Sequence, residues 1–212
     1  MDTIDKPLGG MTANRPARMP KSAKSRGKVA PAKLAHIVLR TSMERVKPLA
    51  DWYCKVLEAE ATIDTDQFVA VTYDQEHHRI AILGIPGSQP HVDGLWGLHH
   101  IAFTYAGLGD LLKTWRRLKG MGIEPGMCIN HGPTTSMYFF DPDKNQIELQ
   151  CDNVPESQFT AYFETDEFTS NPIGVKFDPA DLEKRLAAGE PETKLLKRPA
   201  GAPPPISEFP VN

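Results

Sequence analysis

Two stretches of this chain are written to the same plan, and that repetition constrains its fold more than any other feature. The first opens at Leu34-Ala35-His36-Ile37-Val38-Leu39 and runs into a helical stretch over 46–57 that contains Trp52. The second opens at Leu98-His99-His100-Ile101-Ala102-Phe103 and runs into a helical stretch over 110–119 that contains Trp115. The tryptophans follow their histidines by 16 and 15 residues. Behind each helix comes a turn-like segment and then short β-rich runs, over 68–73 and 79–83 in the first copy and 135–140 and 146–150 in the second. Each copy therefore reads as strand, helix, then two or three antiparallel strands. The copies span about 34–90 and 97–151.

The histidines that open the copies stand among Ile, Val and Phe, as does Glu148 in Asn145-Gln146-Ile147-Glu148-Leu149. A polar side chain in such a setting costs roughly 2–7 kcal/mol by transfer unless something satisfies it. Any one of the three alone reads as a satisfied core residue; the repeat is what joins them. It also chooses between His99 and His100. Neighbours in a strand face opposite sides. His100 precedes Ile-Ala-Phe as His36 precedes Ile-Val-Leu, so His99 aligns with Ala35 and faces away. Two imidazoles and one carboxylate, His36, His100 and Glu148, form the facial ligand set of non-haem Fe(II) oxygenases.

With these two copies the chain resembles the vicinal oxygen chelate superfamily, in which paired βαβββ units form a metal-holding cup. More narrowly, it is similar to the type I extradiol ring-cleaving dioxygenases. The matching residues are Ile129-Asn130-His131, a five-residue spacer, then Met137-Tyr138-Phe139-Phe140-Asp141-Pro142-Asp143-Lys144-Asn145-Gln146-Ile147-Glu148. Lys144 departs from the family's usual Gly or Pro, inside what Asp, Pro and Asn still mark as a turn. The likeness covers about 34–151, with a looser continuation through Asn171-Pro172-Ile173-Gly174-Val175. It implies an α+β fold of two such units.

The resemblance also implies roles. Aligning Ile80-Ala81-Ile82 with Ile147-Glu148-Leu149 puts Ala81 where a glyoxalase-like site would take a fourth ligand. Three protein ligands then leave metal positions for a chelated catechol and O2. His78 matches the acid–base histidine, His131 a residue that helps bind substrate or stabilise the oxygenated intermediate, and Tyr138 a hydrogen-bond partner of a substrate oxygen. An imidazole with a pKa of about 6.5 suits proton transfer near neutrality. His77 and His91 are competitors for the role of His78. Fe(II) is implied, with Mn(II) as the alternative. The expected reaction opens the ring of a substituted catechol, 2,3-dihydroxybiphenyl-like or alkyl-bearing, to a muconic semialdehyde-type product. The rivals are an oxygen-independent isomerase, epimerase or lyase with the same ligands, and a protein that sequesters small molecules.

Composition marks off the ends. Residues 1–33 hold eight Lys/Arg and two Asp, whereas the remainder holds 16 basic and 25 acidic residues. The first segment is expected to be a disordered basic tail, having little apolar surface to offset ordering. It lacks the apolar run of a secretory signal. No stretch approaches the roughly 20 apolar residues of a membrane span. Cys54, Cys128 and Cys151 follow no zinc or redox spacing and read as core or ordinary thiols of a reducing, cytoplasmic compartment. Beyond 151 the chain predicts one capped helix, from Asp178-Pro179 to Gly189, and a Pro-rich arm. No nucleic-acid or membrane partner is expected; a homo-oligomer is.

Overall fold

The structure is a computed structural model and describes residues 21–92, 94, 96–205 and 208. Of the expected tail, residues 1–20 lie outside the described residues, and the rest carries one exposed 3-10 turn, Lys24–Arg26. The described residues divide into two compact units, 21–99 with 140–146, and 100–139 with 147–205 and 208.

The first unit runs β1 (Ile37–Thr41), α1 (Val46–Leu57), β2 (Glu60–Asp64), β3 (Phe68–Thr72) and β4 (Ile80–Gly84). Its sheet has the order β1-β4-β3-β2, with β1 parallel to β4 and the other pairs antiparallel. α1 forms because Val46, Leu49, Ala50, Tyr53 and Val56 repeat at helical spacing, and all five are buried. It ends where Glu58 turns left-handed, φ 50°, and its N–H returns to the Cys54 carbonyl. β2 is exposed along its whole length. It carries no alternating apolar face, which is why its segment reads as a turn in the sequence.

The second unit repeats the order with β5 (His100–Tyr105), α2 (Leu108–Gly120), β6 (Met127–Asn130), β7 (Thr134–Phe140) and β8 (Gln146–Asp152). It then adds α3 (Glu156–Tyr162), α4 (Asp166–Ser170), β9 (Val175–Lys176), α5 (Pro179–Ala187) and α6 (Glu192–Leu195). The strand order is β5-β8-β7-β6-β9. Trp115 on α2 is buried, as Trp52 is on α1, so the repeated tryptophans serve the two cores. α5 starts as its sequence predicts: the Asp178 carboxylate accepts the Ala180 N–H at 2.9 Å, and Pro179 occupies the first turn. The described part of the Pro-rich arm has no regular structure from 199 to 205. No helix among the described residues is long and apolar enough to cross a membrane.

The β7–β8 turn belongs with the first unit. Asp141, 4% exposed, organises it. Its carboxylate accepts the N–H groups of Asp143 and Asn145 at 2.8 Å, the Asn145 side-chain amide at 2.8 Å and the Tyr53 hydroxyl at 3.0 Å. Lys144, the departure from the family pattern, takes the left-handed φ of 68°. That conformation costs a residue with a Cβ about 1–2 kcal/mol, against roughly 0.5–1 kcal/mol for glycine's extra chain entropy. Lys144→Gly is therefore expected to stabilise the protein by about 0.5–1 kcal/mol, read as a higher Tm in thermal unfolding; a lower Tm would contradict it.

Candidate active site

β5, β8 and β7 lie side by side in the second unit and share one polar face. Gln150 on β8 donates to the Thr104 hydroxyl on β5 at 3.0 Å. Two residues back from Gln150 on the same side stands Glu148, 6% exposed. Its Oε2 is 3.0 Å from Nε2 of His100, the half-buried first residue of β5. Burial pushes the Glu148 carboxyl up, but hydrogen bonds from His100 and Ser136 outweigh it and hold the group below the ordinary carboxylate range. The carboxylate is therefore ionised near neutrality. A separation of this size also suits a shared cation, since adjacent octahedral ligands about 2.1 Å from a metal stand roughly 3 Å apart. An imidazole beside an ionised carboxylate is a fitting donor set for a divalent ion.

Tyr138 projects from β7 onto the same cluster. It is 7% exposed, and its ring lies 5.5 Å from that of His100 at 76°. Its hydroxyl is 2.9 Å from Nε2 of His131. Burial, and then the Glu148 charge, raise the phenol's pKa, so it keeps its proton. That one proton faces two acceptors, the Glu148 carboxylate and the His131 ring.

His131 sits in a tight turn between β6 and β7, where its N–H donates to the Thr134 carbonyl at 2.9 Å. Gly132 allows this turn: its φ is 102°, and a Cβ there would fall 1.7 Å from the Tyr162 hydroxyl. The Nδ1 of His131 bonds the Ile173 carbonyl. Burial holds the ring's pKa below the usual histidine value.

The first unit holds a cluster of its own. His36 precedes β1 by one residue and is exposed, unlike the buried strand position that its apolar neighbours suggest. The reason is strand alternation: Leu39 and Thr41 are buried, whereas Val38 and Arg40, which share the side of His36, are exposed. The His36 ring lies 4.2 Å from that of His78 and 6.3 Å from that of His77. His78 is half-buried and in contact with His77 through their Nδ1 atoms. Burial, and then the neighbouring imidazoles His36 and His77, hold the pKa of His78 down. His77, His91 and His99 are exposed. Ala81 is buried in β4.

The structure thus gathers His100, Glu148, Tyr138 and His131 in one unit, and His36 with His78 in the other. Among the described residues no three His, Cys, Asp or Glu side chains form a ready-made metal cage. Cys151 is fully buried, and its thiol is pushed up to about 12 by burial. It lies an odd number of residues from Glu148 and so on the other face of β8. Ser136 and Ile173 are parts of the cluster that sequence reasoning missed. Ser136 was within reach of it, two positions before Tyr138 and hence on the same side. A cavity of about 490 Å³ between Asn130, Lys176, Leu182, Arg185, Lys194 and Arg198 contains none of these site residues.

Residues 33–149 match the family model described as Glyoxalase/Bleomycin resistance protein/Dioxygenase superfamily. Biphenyl-2,3-diol 1,2-dioxygenase 2 of Rhodococcus globerulus is 45% identical over 165 residues, covering 77% of this chain and 86% of that protein. Biphenyl-2,3-diol 1,2-dioxygenase 3 of the same organism is 40% identical over 170 residues, covering 78% and 88%. Among solved structures, a glyoxylase/bleomycin resistance protein/dioxygenase domain from Frankia sp. EAN1pec matches with a TM-score of 0.48 and 17% identity, over 58% of this chain and 99% of that one.

Proposed function

The chain belongs to the glyoxalase/bleomycin resistance protein/dioxygenase superfamily, and on that footing we propose that it is an extradiol dioxygenase. Its substrate would be a catechol bearing a carbon substituent, 2,3-dihydroxybiphenyl-like or alkyl-substituted. The observation that carries this reading is the pairing of half-buried His100 with buried Glu148, in a chain 45% identical to a protein named for that chemistry. His36, His100 and Glu148 would hold a divalent metal, Fe(II) in our reading, with Mn(II) the alternative. The role of His36 rests on the repeat that aligns it with His100. When bound, the metal supplies a Lewis acid and a common template for substrate and oxygen.

The protein's own residues have definable work. Glu148, ionised, contributes the negative charge of the ligand set. His78, favoured in its neutral form, takes a proton from a substrate hydroxyl and later returns it. Tyr138 keeps its proton, and its hydroxyl oxygen hydrogen-bonds a substrate hydroxyl. His131, neutral and hydrogen-bonded on both nitrogens, holds Tyr138 in place and offers a second polar contact.

Oxygen uptake by protein reconstituted anaerobically with Fe(II) tests the reading, with 2,3-dihydroxybiphenyl, 3-alkylcatechols and catechol as substrates. One O2 consumed per yellow ring-opened product is expected. Turnover of a substrate without oxygen consumption would overturn it in favour of an isomerase or lyase. Tight catechol binding without turnover would favour sequestration.

A further inference from the structure

The loop that follows α4 carries more polar construction than a connection needs. Asn171 is 6% exposed, and its side chain makes three hydrogen bonds within four residues. Its Oδ1 accepts the N–H groups of Ile173 at 3.1 Å and Gly174 at 2.8 Å. Its Nδ2 donates to the Gly174 carbonyl at 2.9 Å. Burying an amide is unfavourable unless its groups are satisfied, and here it is satisfied by shaping one turn. Arg198, whose side chain is 6% exposed, donates to the Asn171 carbonyl at 2.7 Å and pairs with Glu167 at 3.0 Å. The turn is thereby clamped from the C-terminal extension.

The clamped turn presses on the backbone of His131. Gly174 has φ 111°, and a Cβ there would stand 2.3 Å from the Asn130 carbonyl oxygen and 2.7 Å from the His131 Cα. Only glycine permits that approach. What the approach delivers is the Ile173 carbonyl, bonded to the His131 Nδ1. A carbonyl only accepts, so Nδ1 must carry the hydrogen. With the ring neutral, Nε2 is then a bare lone pair facing the Tyr138 hydroxyl 2.9 Å away. The other tautomer would place an N–H there and leave Nδ1 and the carbonyl oxygen facing each other without a proton.

We propose that the Asn171–Gly174 turn is a positioning element that locks His131 as its Nδ1–H tautomer, so that Nε2 accepts a hydrogen bond from the Tyr138 hydroxyl. Hydrogen bonds of this kind fix histidine tautomers around many catalytic centres. The consequence for turnover rests on the dioxygenase reading; the tautomer itself does not.

The test is 15N NMR of histidine-labelled full-length protein carrying Zn(II) as a diamagnetic stand-in, which needs no variant. Wild-type His131 should show a protonated Nδ1 and an unprotonated Nε2. An Nε2–H tautomer or an imidazolium near neutrality would overturn the proposal. In Asn171→Ala the ring should populate both tautomers, and kcat should fall about 10- to 100-fold with little change in KM or metal content. Asn171→Asp, which keeps both bonds accepted by Oδ1, should restore the wild-type spectrum. A pure Nδ1–H tautomer in Asn171→Ala would assign the turn a merely structural role. Should every protein prove inactive with catechols, the spectra would still decide the tautomer.

Discussion

Glu148→Ala is expected to yield a folded protein that no longer retains its metal. Glu148 is the one anionic member of the proposed ligand set, and its carboxylate is held ionised against burial by His100 and Ser136. Removing it deletes a donor and the charge that neutralises half of a divalent cation. The loss should exceed the roughly 10- to 100-fold in affinity that changes in outer-shell partners cost. Activity should fall to background. The change also removes one buried hydrogen-bond partner from His100 and from Ser136, at a cost of about 1–3 kcal/mol to the metal-free fold. Metal analysis after dialysis, a competition titration against a chelator and a thermal melt separate these effects. Iron bound at wild-type affinity would remove Glu148 from the site.

His78→Ala should do the opposite: keep metal and substrate but slow turnover by about 10²- to 10⁴-fold, the usual contribution of a general acid–base group. The ring stands 4.2 Å from that of His36, beside the residue proposed to open the ligand set. Its depressed pKa favours the neutral imidazole needed to accept a proton. Catechol binding measured anaerobically should be near normal, so the defect belongs to kcat. Unchanged turnover would pass the role to His77, which touches His78, or to His91.

Features that depend on neighbours along the chain are legible in the residues alone. α1 spans the predicted 46–57 because its apolar residues recur at helical spacing. The start of α5 follows from Asp178 and Pro179 alone. β2 is not legible in this way, since an exposed edge strand needs no apolar alternation. β6 is not either: with four residues it is too short for a period to show. The exposure of His36 escapes for a related reason. A run of apolar letters does not say which side of a strand is covered, and here only the side of Ile37, Leu39 and Thr41 is.

The repeat, the family and the identity of the candidate ligands are all written in the amino-acid sequence, because these are matters of residue type at fixed spacing. How those residues are tuned is a property of the folded chain. The bond from His131 to Ile173 joins positions 42 apart, and that between Tyr53 and Asp141 joins positions 88 apart. No local preference encodes such pairs. They exist because strands and turns distant in the chain close over one another, and burial then makes each hydrogen bond decide the charge, tautomer and direction of the group it meets.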